Sequence, residues 1–191
     1  KAGLEMALQA LGYSAENKAM VEESGFVNGV ALPECFRRLK VLLALQGGTM
    51  VYNKTWGFGI VRNRDCFYKR VLVDFDQKPG HNLSFAYAAE TLQVLQDDHL
   101  FAIRHKQPER MREMIAKEPD AVIRNLIRNF GPQPIQNVQS LLVPDVITEA
   151  QWKPFWDKAR KLLKDDPLFE IPRKRNDPLR ILAVERGYNE H

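Results

Sequence analysis

The chain has 191 residues, of which 45% are hydrophobic and 27% are charged, a composition typical of globular domains. It excludes a largely disordered chain, a collagen-like repeat and a disulfide scaffold, and no apolar run approaches the ~20 residues of a membrane-spanning helix. The 28 basic and 24 acidic residues give a net charge of +4, a weaker excess than a DNA-coating protein usually carries.

Cysteine usage and the first residue bear on where the chain works. Cys35 and Cys66 form no Cys-x-x-Cys pair and no metal-ligand spacing, which favours reduced thiols in the cytoplasm over a secreted disulfide framework. The chain begins with Lys1 and has no signal-peptide pattern, so we expect a cytoplasmic fragment of a longer protein. The basic excess falls in residues 48–95 and 146–191, each with two more bases than acids.

The first 47 residues have the apolar spacing of helices. A first helix is predicted to end at Gly12, and a second to begin at Pro33, because proline suits the first helical turn. The residues that recur on one face of the first helix are Leu4, Leu8 and Leu11. We therefore expect an N-terminal helical segment over residues 1–47.

From Thr49 the pattern becomes that of short strands. In the clearest strand Val71, Val73 and Phe75 alternate with side chains for the opposite face. Five strands within about fifty residues is the size of a small SH3-like or Tudor-like barrel. The five predicted strands are Thr49–Tyr52, Ile60–Asn63, Arg70–Phe75, Asn82–Phe85 and Leu92–Leu95, with a helical turn at Ala86–Glu90.

After Gln96 the helical period returns. Helices are predicted from Pro108, from Pro119 and over residues 134–142. The sequence therefore predicts an α+β fold, in which a small five-stranded SH3/Tudor-like barrel is flanked by an N-terminal helical segment and a C-terminal helical module. The predicted domains are residues 1–47, 48–96 and 97–191.

The last predicted helix is rich in aromatic residues. Thr148 and Gln151 have the spacing of a capping box, but Pro154 argues for a start near that residue or for a kink there. Strands are predicted at Phe169–Ile171 and Leu179–Val184. Three helices followed by two strands is the order of a winged helix, which is one interpretation of this module. The aromatic residues expected in its core are Trp152, Phe155 and Trp156.

Three stretches of the barrel region resemble a known module. They read Gly-Thr-Met-Val-Tyr-Asn-Lys-Thr-Trp-Gly-Phe-Gly-Ile-Val from Gly48, Val-Leu-Val-Asp-Phe from Val71 and Leu-Ser-Phe-Ala-Tyr-Ala from Leu83. This pattern is similar to the Tudor/SH3-like modules of CarD-type regulators, of the transcription-repair coupling factor and of UvrD-type helicases. The resemblance implies a barrel that interacts with bacterial RNA polymerase.

A second resemblance covers residues 40–171 and is more specific. The chain resembles the N-terminal extension of long Gre-type transcription elongation factors, the GreA/GreB family. That family usually has Trp-x-x-Trp-Trp in the aromatic helix, where this chain has Pro154-Phe155-Trp156. The motifs that carry the resemblance are Trp56-Gly57-Phe58-Gly59, Leu83-Ser84-Phe85-Ala86, Asp98–Arg104, Asn129-Phe130-Gly131-Pro132, Trp152-x-x-x-Trp156 and Leu163-Lys164-Asp165-Asp166.

The resemblance implies docking on RNA polymerase but not transcript cleavage. Gre factors promote cleavage through acidic residues at the tip of a long coiled coil, and no long heptad stretch is present here. Phe58 and Phe75 are expected in the barrel core, whereas Trp56 follows a polar loop and is a candidate contact. The residues predicted to bind the partner are Lys54, Trp56, Arg62, Arg64 and Arg70.

A second basic group lies between the last two predicted strands and at the start of the second. Its members are positioned to contact a phosphate backbone if this region forms a wing, and they are Arg173, Lys174, Arg175 and Arg180. Nucleic acid is therefore a second candidate partner, and no membrane or small-molecule substrate is predicted. The alternatives to polymerase docking are direct nucleic-acid binding through barrel and wing, and a structural adaptor between proteins.

The sequence contains no pattern of an enzyme. It has no phosphate-binding loop, no Gly-x-Ser-x-Gly, no His-Glu-x-x-His and no cysteine–histidine nucleophile arrangement. His99 and His105 do not share a helix face, so no metal site is predicted, and Asp97 or Asp98 is interpreted as a helix N-cap. We predict a non-catalytic protein with no cofactor.

Overall fold

The computed structural model describes residues 2–183, which form two compact units. The first unit ends at Gln96 and the second begins at Asp97. The N-terminal helices share one hydrophobic core with the sheet that follows them. The division into three domains remains a prediction. None of the described helices is long and apolar enough to span a membrane.

Helices make up the beginning of the first unit. The helix predicted up to Gly12 is confirmed, and so is the helix with proline in its first turn. Between them lies helical structure that we did not predict, capped by the Ser14 hydroxyl, which accepts a hydrogen bond from the Asn17 amide at 3.0 Å. These elements are α1 (Ala2–Leu11), α2 (Ala15–Val21), a π-helical turn (Glu22–Phe26) and α3 (Leu32–Ala44).

A five-stranded antiparallel sheet follows, in the order β4-β3-β2-β1-β5. All five predicted strands are present, and the α+β class is confirmed. Among the described residues no hydrogen-bonded pairing joins β4 to β5, so a closed barrel remains a prediction. The elements are β1 (Met50–Asn53), β2 (Gly57–Asp65), β3 (Arg70–Phe75), β4 (Lys78–Ser84), α4 (Phe85–Thr91) and β5 (Gln93–Val94).

The inner face of the sheet is packed closely. Phe58 and Phe75 are buried, as predicted. Gly59 lies opposite Phe75 in the β2–β3 register, and a Cβ atom at position 59 would lie 2.5 Å from Phe75 Cδ1. Only glycine fits there, because real Cβ atoms do not approach another carbon so closely. Val71 and Val73 complete the alternation that predicted β3.

The second unit is a group of helices with a short hairpin. Its core contains residues from every helix, including Leu100, Met111, Ile123, Val138 and Phe155. The elements are α5 (Leu100–Lys106), α6 (Pro108–Lys117), α7 (Pro119–Phe130), α8 (Ile135–Leu142), α9 (Glu149–Lys164), β6 (Phe169–Glu170) and β7 (Arg180–Ile181).

The hairpin is attached to the helices by one further backbone pairing. β6 and β7 pair antiparallel, with Phe169 opposite Ile181. Just before β7, the Leu179 amide donates to the Gln133 carbonyl at 2.8 Å. Gln133 precedes α8, so the pairing fixes the hairpin against the start of that helix. The predicted strand Leu179–Val184 ends outside the described residues.

Two predictions for the second unit are wrong. α9 begins at Glu149, so a start near Pro154 is wrong, because Thr148 and Gln151 form the complete capping box and stabilise the first turn. The alternative of a kink at Pro154 remains a prediction. The N-cap of α5 is His99 and not Asp97 or Asp98. The His99 ring nitrogen Nδ1 accepts a hydrogen bond from the Phe101 amide at 3.2 Å, a role more often taken by a carboxylate.

Candidate docking and nucleic-acid surfaces

Two of the predicted partner-binding arginines are held within the first unit. Arg62 in β2 pairs with Asp74 in β3. Arg64 donates to the carbonyl oxygens of Leu42 at 2.7 Å and Leu43 at 3.2 Å. These carbonyls lie in the last turn of α3, where a cation offsets the negative end of the helix dipole. Both side chains therefore have partners within the unit.

Lys69, which precedes Arg70 in the sequence, also has ion-pair partners within the unit. Its Nζ lies 2.9 Å from Glu23 Oε1 and 3.6 Å from Glu22 Oε2. The hydrogen bond to Glu23 raises the pKa of Lys69, with a smaller contribution from Glu22. The pair joins the π-helical turn to the β2–β3 connection, so the positive charge of Lys69 is compensated locally.

Trp56 is half-buried and packs against the core of the first unit. Lys78 Nζ lies 4.5 Å from the centroid of its ring, and the His81 ring meets it edge-on at 5.1 Å. Buried Asn53 fixes the preceding turn, since its side-chain oxygen accepts from the Thr55 amide at 2.8 Å and the Trp56 amide at 3.2 Å. Trp56 thus holds β4 onto the β1–β2 turn.

The other two predicted cations are exposed. The side chains of Lys54 and Arg70 have no hydrogen bond or ion pair with another residue among those that the structure describes. Arg70 lies at the start of β3 and lines an open groove of about 520 Å³ together with Tyr68 and Leu72. Of the five predicted residues, Lys54 and Arg70 are therefore the cations available to a partner.

Two exposed aromatic side chains at the β2–β3 turn were not among the predicted partner-binding residues. Phe67 is 86% exposed and Tyr68 is 69% exposed, and their rings meet edge-on with centroids 4.9 Å apart. Asp65 fixes the turn, because its carboxylate accepts a hydrogen bond from the Tyr68 amide at 2.9 Å. We call Phe67, Tyr68 and Arg70 the hairpin patch. The sequence did contain a signal for this patch, because two adjacent aromatic residues lie between predicted strands and neither belongs to the alternation of buried residues within a strand.

The basic residues of the second unit lie in the β6–β7 loop beside α9. Arg173, Lys174 and Arg175 are exposed and line a groove of about 200 Å³, to which α9 contributes Trp156 and Arg160. Arg180 lies in β7, outside this groove, with its Cα opposite Glu170 of β6. The structure thus brings three of the four predicted residues together and adds two that were not predicted.

The face of α9 that contributes to the groove is basic. Lys153, Trp156, Arg160 and Lys164 are spaced at i, i+3, i+7 and i+11 and share one face of the helix. Trp156 stacks on Trp152 with the ring planes 7° apart and the centroids 6.1 Å apart. Both indoles are half-buried against the core, so the groove has an aromatic wall held at a fixed angle.

His99 is the one buried titratable side chain with a large shift among the described residues. It is 1% exposed and packs edge-on against Phe130 with centroids 5.3 Å apart. Burial lowers the pKa of His99 from 6.5 to about 4, although the charge of Asp98 opposes this shift. The described residues contain no group of three or more His, Cys, Asp or Glu side chains placed to hold a metal ion.

Known proteins match both units. The GRAD helix-turn-helix domain family matches residues 101–186. The transcription elongation factor GreA of Chlamydia trachomatis is 30% identical over 180 residues, which are 92% of this chain and 25% of that protein. The chain is therefore similar to Gre-type factors over most of its length. The resemblance to Gre-type factors is thereby confirmed.

Further relatives have similar names. The transcription elongation factor GreA of Borreliella burgdorferi is 30% identical over 123 residues, 64% of this chain and 13% of that protein. A protein of Treponema pallidum named for GreA-associated domains is 25% identical over 129 residues, 66% of this chain and 19% of that protein. The chain spans a quarter or less of the length of these relatives. No solved structure matches it.

Proposed function

We propose that this chain is a non-catalytic, transcription-associated module of the cytoplasm that docks on bacterial RNA polymerase through its first unit. The observation that carries the proposal is the hairpin patch, in which two exposed aromatic rings stand near Arg70, whose side chain has no ion pair within residues 2–183. The names of the relatives support a partner in transcription, because two of them are called transcription elongation factors. The role of the whole protein in transcription is part of this proposal.

The chemistry of the hairpin patch suits a protein partner. Tyr, Trp and Arg side chains are enriched among the few residues that dominate the binding energy of protein interfaces. Phe67 and Tyr68 are mostly exposed, so the free fold buries little of their apolar surface. The turn that carries Phe67 and Tyr68 is fixed by Asp65, so little conformational entropy is lost when a partner binds. Lys54 and Arg70 would steer the module to an acidic surface of the polymerase.

The remaining predicted residues have supporting roles in this proposal. Trp56 positions β4, while Arg62 pairs within the sheet and Arg64 contacts the end of α3. Substitution of Trp56 or Arg64 would weaken docking by destabilising the fold, whereas the exposed Arg62–Asp74 pair contributes little to stability. A substitution at the hairpin patch would weaken docking and leave stability unchanged.

The test is a binding titration of core RNA polymerase from a bacterium with the fluorescently labelled 191-residue chain. We expect Phe67→Ser with Tyr68→Ser to weaken binding at least tenfold, since each interfacial aromatic contributes about 1–2 kcal/mol or more. Both side chains point into solvent, so the melting temperature should not change.

The matched control is Tyr13→Ser. Tyr13 is 73% exposed and lies in the same unit, at the turn before α2. Its removal should leave polymerase binding unchanged. Undiminished binding by the Phe67/Tyr68 variant would rule out the hairpin patch, and absence of binding by the wild-type chain would rule out docking through this module.

The helix-turn-helix match favours a second candidate function, nucleic-acid binding by the second unit. The α9 groove, lined by Arg160 and by Arg173 to Arg175, would supply the positive charge. Binding that falls steeply with added salt is the expected signature, because bound phosphates release counterions. A chain that binds neither polymerase nor nucleic acid would leave the structural adaptor as the function.

A further inference from the structure

We propose that the groove between α9 and the β6–β7 loop binds single-stranded nucleic acid, with one unstacked base against Trp156 and the flanking phosphates on the surrounding cations. The proposal specifies the second candidate function, nucleic-acid binding, and is independent of docking by the first unit. We call this site the α9 groove and define it by Trp156, Arg160, Arg173, Lys174 and Arg175.

Charge is the first argument for this ligand. Four cations line the α9 groove, and Asp177 is the one carboxylate among its lining residues. Arg160, Arg173 and Lys174 have no ion pair with another described residue, in contrast to Arg62 and Lys69 of the first unit. These cations therefore remain available to an anionic ligand.

Shape is the second argument, and it separates a single strand from a duplex. The bases of a duplex are paired and stacked, so none can enter a pocket on a protein unless it leaves the stack, which costs a few kcal/mol. The α9 groove is a concave cavity of about 200 Å³ with apolar walls from Ile135, Ile171 and Leu179. A cavity of this kind fits a base that has left the stack.

Aromatic support is the third argument. Proteins that bind single strands without sequence readout combine a positively charged groove with aromatic side chains on which bases stack. Trp156 lines the groove while its ring is stacked on Trp152, with the planes 7° apart. The indole is thus held in place before the ligand binds, and a base on the groove side would extend the stack.

Lys153 and Lys164 extend the site along α9. They share the helix face of Trp156 and Arg160, because Lys153 lies three residues before Trp156 and Lys164 lies four residues after Arg160. One turn of α-helix rises 5.4 Å, close to the spacing of adjacent phosphates in an extended strand, so successive phosphates can follow this face. Between them the base contacts Trp156.

The experiment measures binding of the full chain to labelled oligothymidine and oligouridine by fluorescence anisotropy, with a blunt duplex of equal length as comparison. We expect the single strands to bind at least tenfold more tightly than the duplex. Arg173→Ala with Lys174→Ala should weaken single-strand binding about tenfold. It should also lower the slope of log K against log salt by about 0.7 for each phosphate that the variant no longer neutralises.

A matched control removes two exposed charges elsewhere in the same unit. Arg112→Ala with Lys117→Ala lies on α6, outside the α9 groove, and should change the affinity less than twofold. Trp156→Leu tests the stacking contact and should weaken binding about tenfold at every salt concentration, because a base–aromatic stack does not depend on counterions. Circular dichroism of each variant verifies that it folds.

Three outcomes would overturn the proposal. Tighter binding to the duplex than to the single strands would identify a surface for double-stranded DNA. An equal decrease of affinity in the Arg112/Lys117 control would indicate non-specific attraction to the unit. A free nucleotide that competes as effectively as the same mass of oligonucleotide would make the groove a mononucleotide site.

Discussion

His99 caps α5 with a ring that is enclosed by aromatic neighbours. Nδ1 accepts from the Phe101 amide at 3.2 Å, and Nε2 has no hydrogen-bond partner among the described residues. The Leu100 amide is satisfied separately by the Asn125 side chain at 2.8 Å. The cap therefore works only with neutral imidazole, because a protonated ring has no acceptor nitrogen and would bring a charge into the core.

The stability of the second unit should fall on mild acidification. The pKa of His99 is lowered from 6.5 to about 4, so its contribution to stability is complete above pH 6.5 and is lost as the pH falls toward 4. The decrease amounts to about 3 kcal/mol at ~1.4 kcal/mol per pKa unit. Urea unfolding followed by tryptophan fluorescence at pH 7.5 and pH 4.5, in a Trp56→Phe background, measures it.

Two variants isolate the histidine. His99→Asn keeps a capping side chain but cannot be protonated in this range, so it should flatten the dependence of unfolding free energy on pH. Ile123→Val, in the same core, should lower stability by about 1 kcal/mol equally at both pH values. An unchanged pH dependence in His99→Asn would show that another group is responsible.

α9 tolerates a proline because its two ends are well stabilised. Pro154 lies in the interior of the helix, where it leaves the Ala150 carbonyl without its intrahelical donor. The capping box at Thr148 stabilises the first turn, and buried Phe155, Ala159 and Leu163 fix the rest of the helix against the core. The capping box and the tertiary packing of α9 therefore outweigh the unfavourable effect of Pro154 inside the helix, which had predicted a later start of α9.

Pro154→Ala should stabilise the second unit by about 1–2 kcal/mol. Alanine restores the hydrogen bond to Ala150, and the exposed position leaves room for it, although part of the gain is offset by the greater freedom of the unfolded chain. Thermal unfolding followed by tryptophan fluorescence measures the change. Lys153→Ala, at the preceding exposed position, should stay within about 0.5 kcal/mol of wild type. Unchanged or lower stability of Pro154→Ala would mean that the core requires the proline.

Elements set by local pattern were predictable from the sequence, and contacts between elements were not. Alternation of Val71, Val73 and Phe75 identified β3 because the residue types themselves determine which face is buried. Nothing local reveals that Arg64 meets the carbonyl of Leu42, twenty-two residues away, since that contact exists only when β2 lies against the end of α3. The α9 groove could not be predicted for the same reason, because it exists only when the β6–β7 loop lies beside α9.

The charge of +4 has different consequences in the two units. In the first unit the ion pairs of Arg62 and Lys69 and the contact of Arg64 with the end of α3 engage three of the cations within the fold. In the second unit Arg160, Arg173 and Lys174 remain unpaired among the described residues. Each unit also has its own hydrophobic core. Docking by an aromatic patch and binding by a basic groove are thus assigned to different parts of one chain.

The two proposed activities should therefore be separable by substitution. Phe67→Ser with Tyr68→Ser should weaken polymerase binding at least tenfold and keep the wild-type affinity for oligothymidine. Arg173→Ala with Lys174→Ala should weaken oligothymidine binding about tenfold and leave polymerase binding unchanged. Added salt should weaken oligothymidine binding steeply and polymerase binding more gradually, because aromatic contacts release no counterions. Parallel titrations of both variants against both ligands measure this. A variant that weakens both interactions equally would show that polymerase and nucleic acid share one surface, since intact circular dichroism would exclude unfolding as the cause.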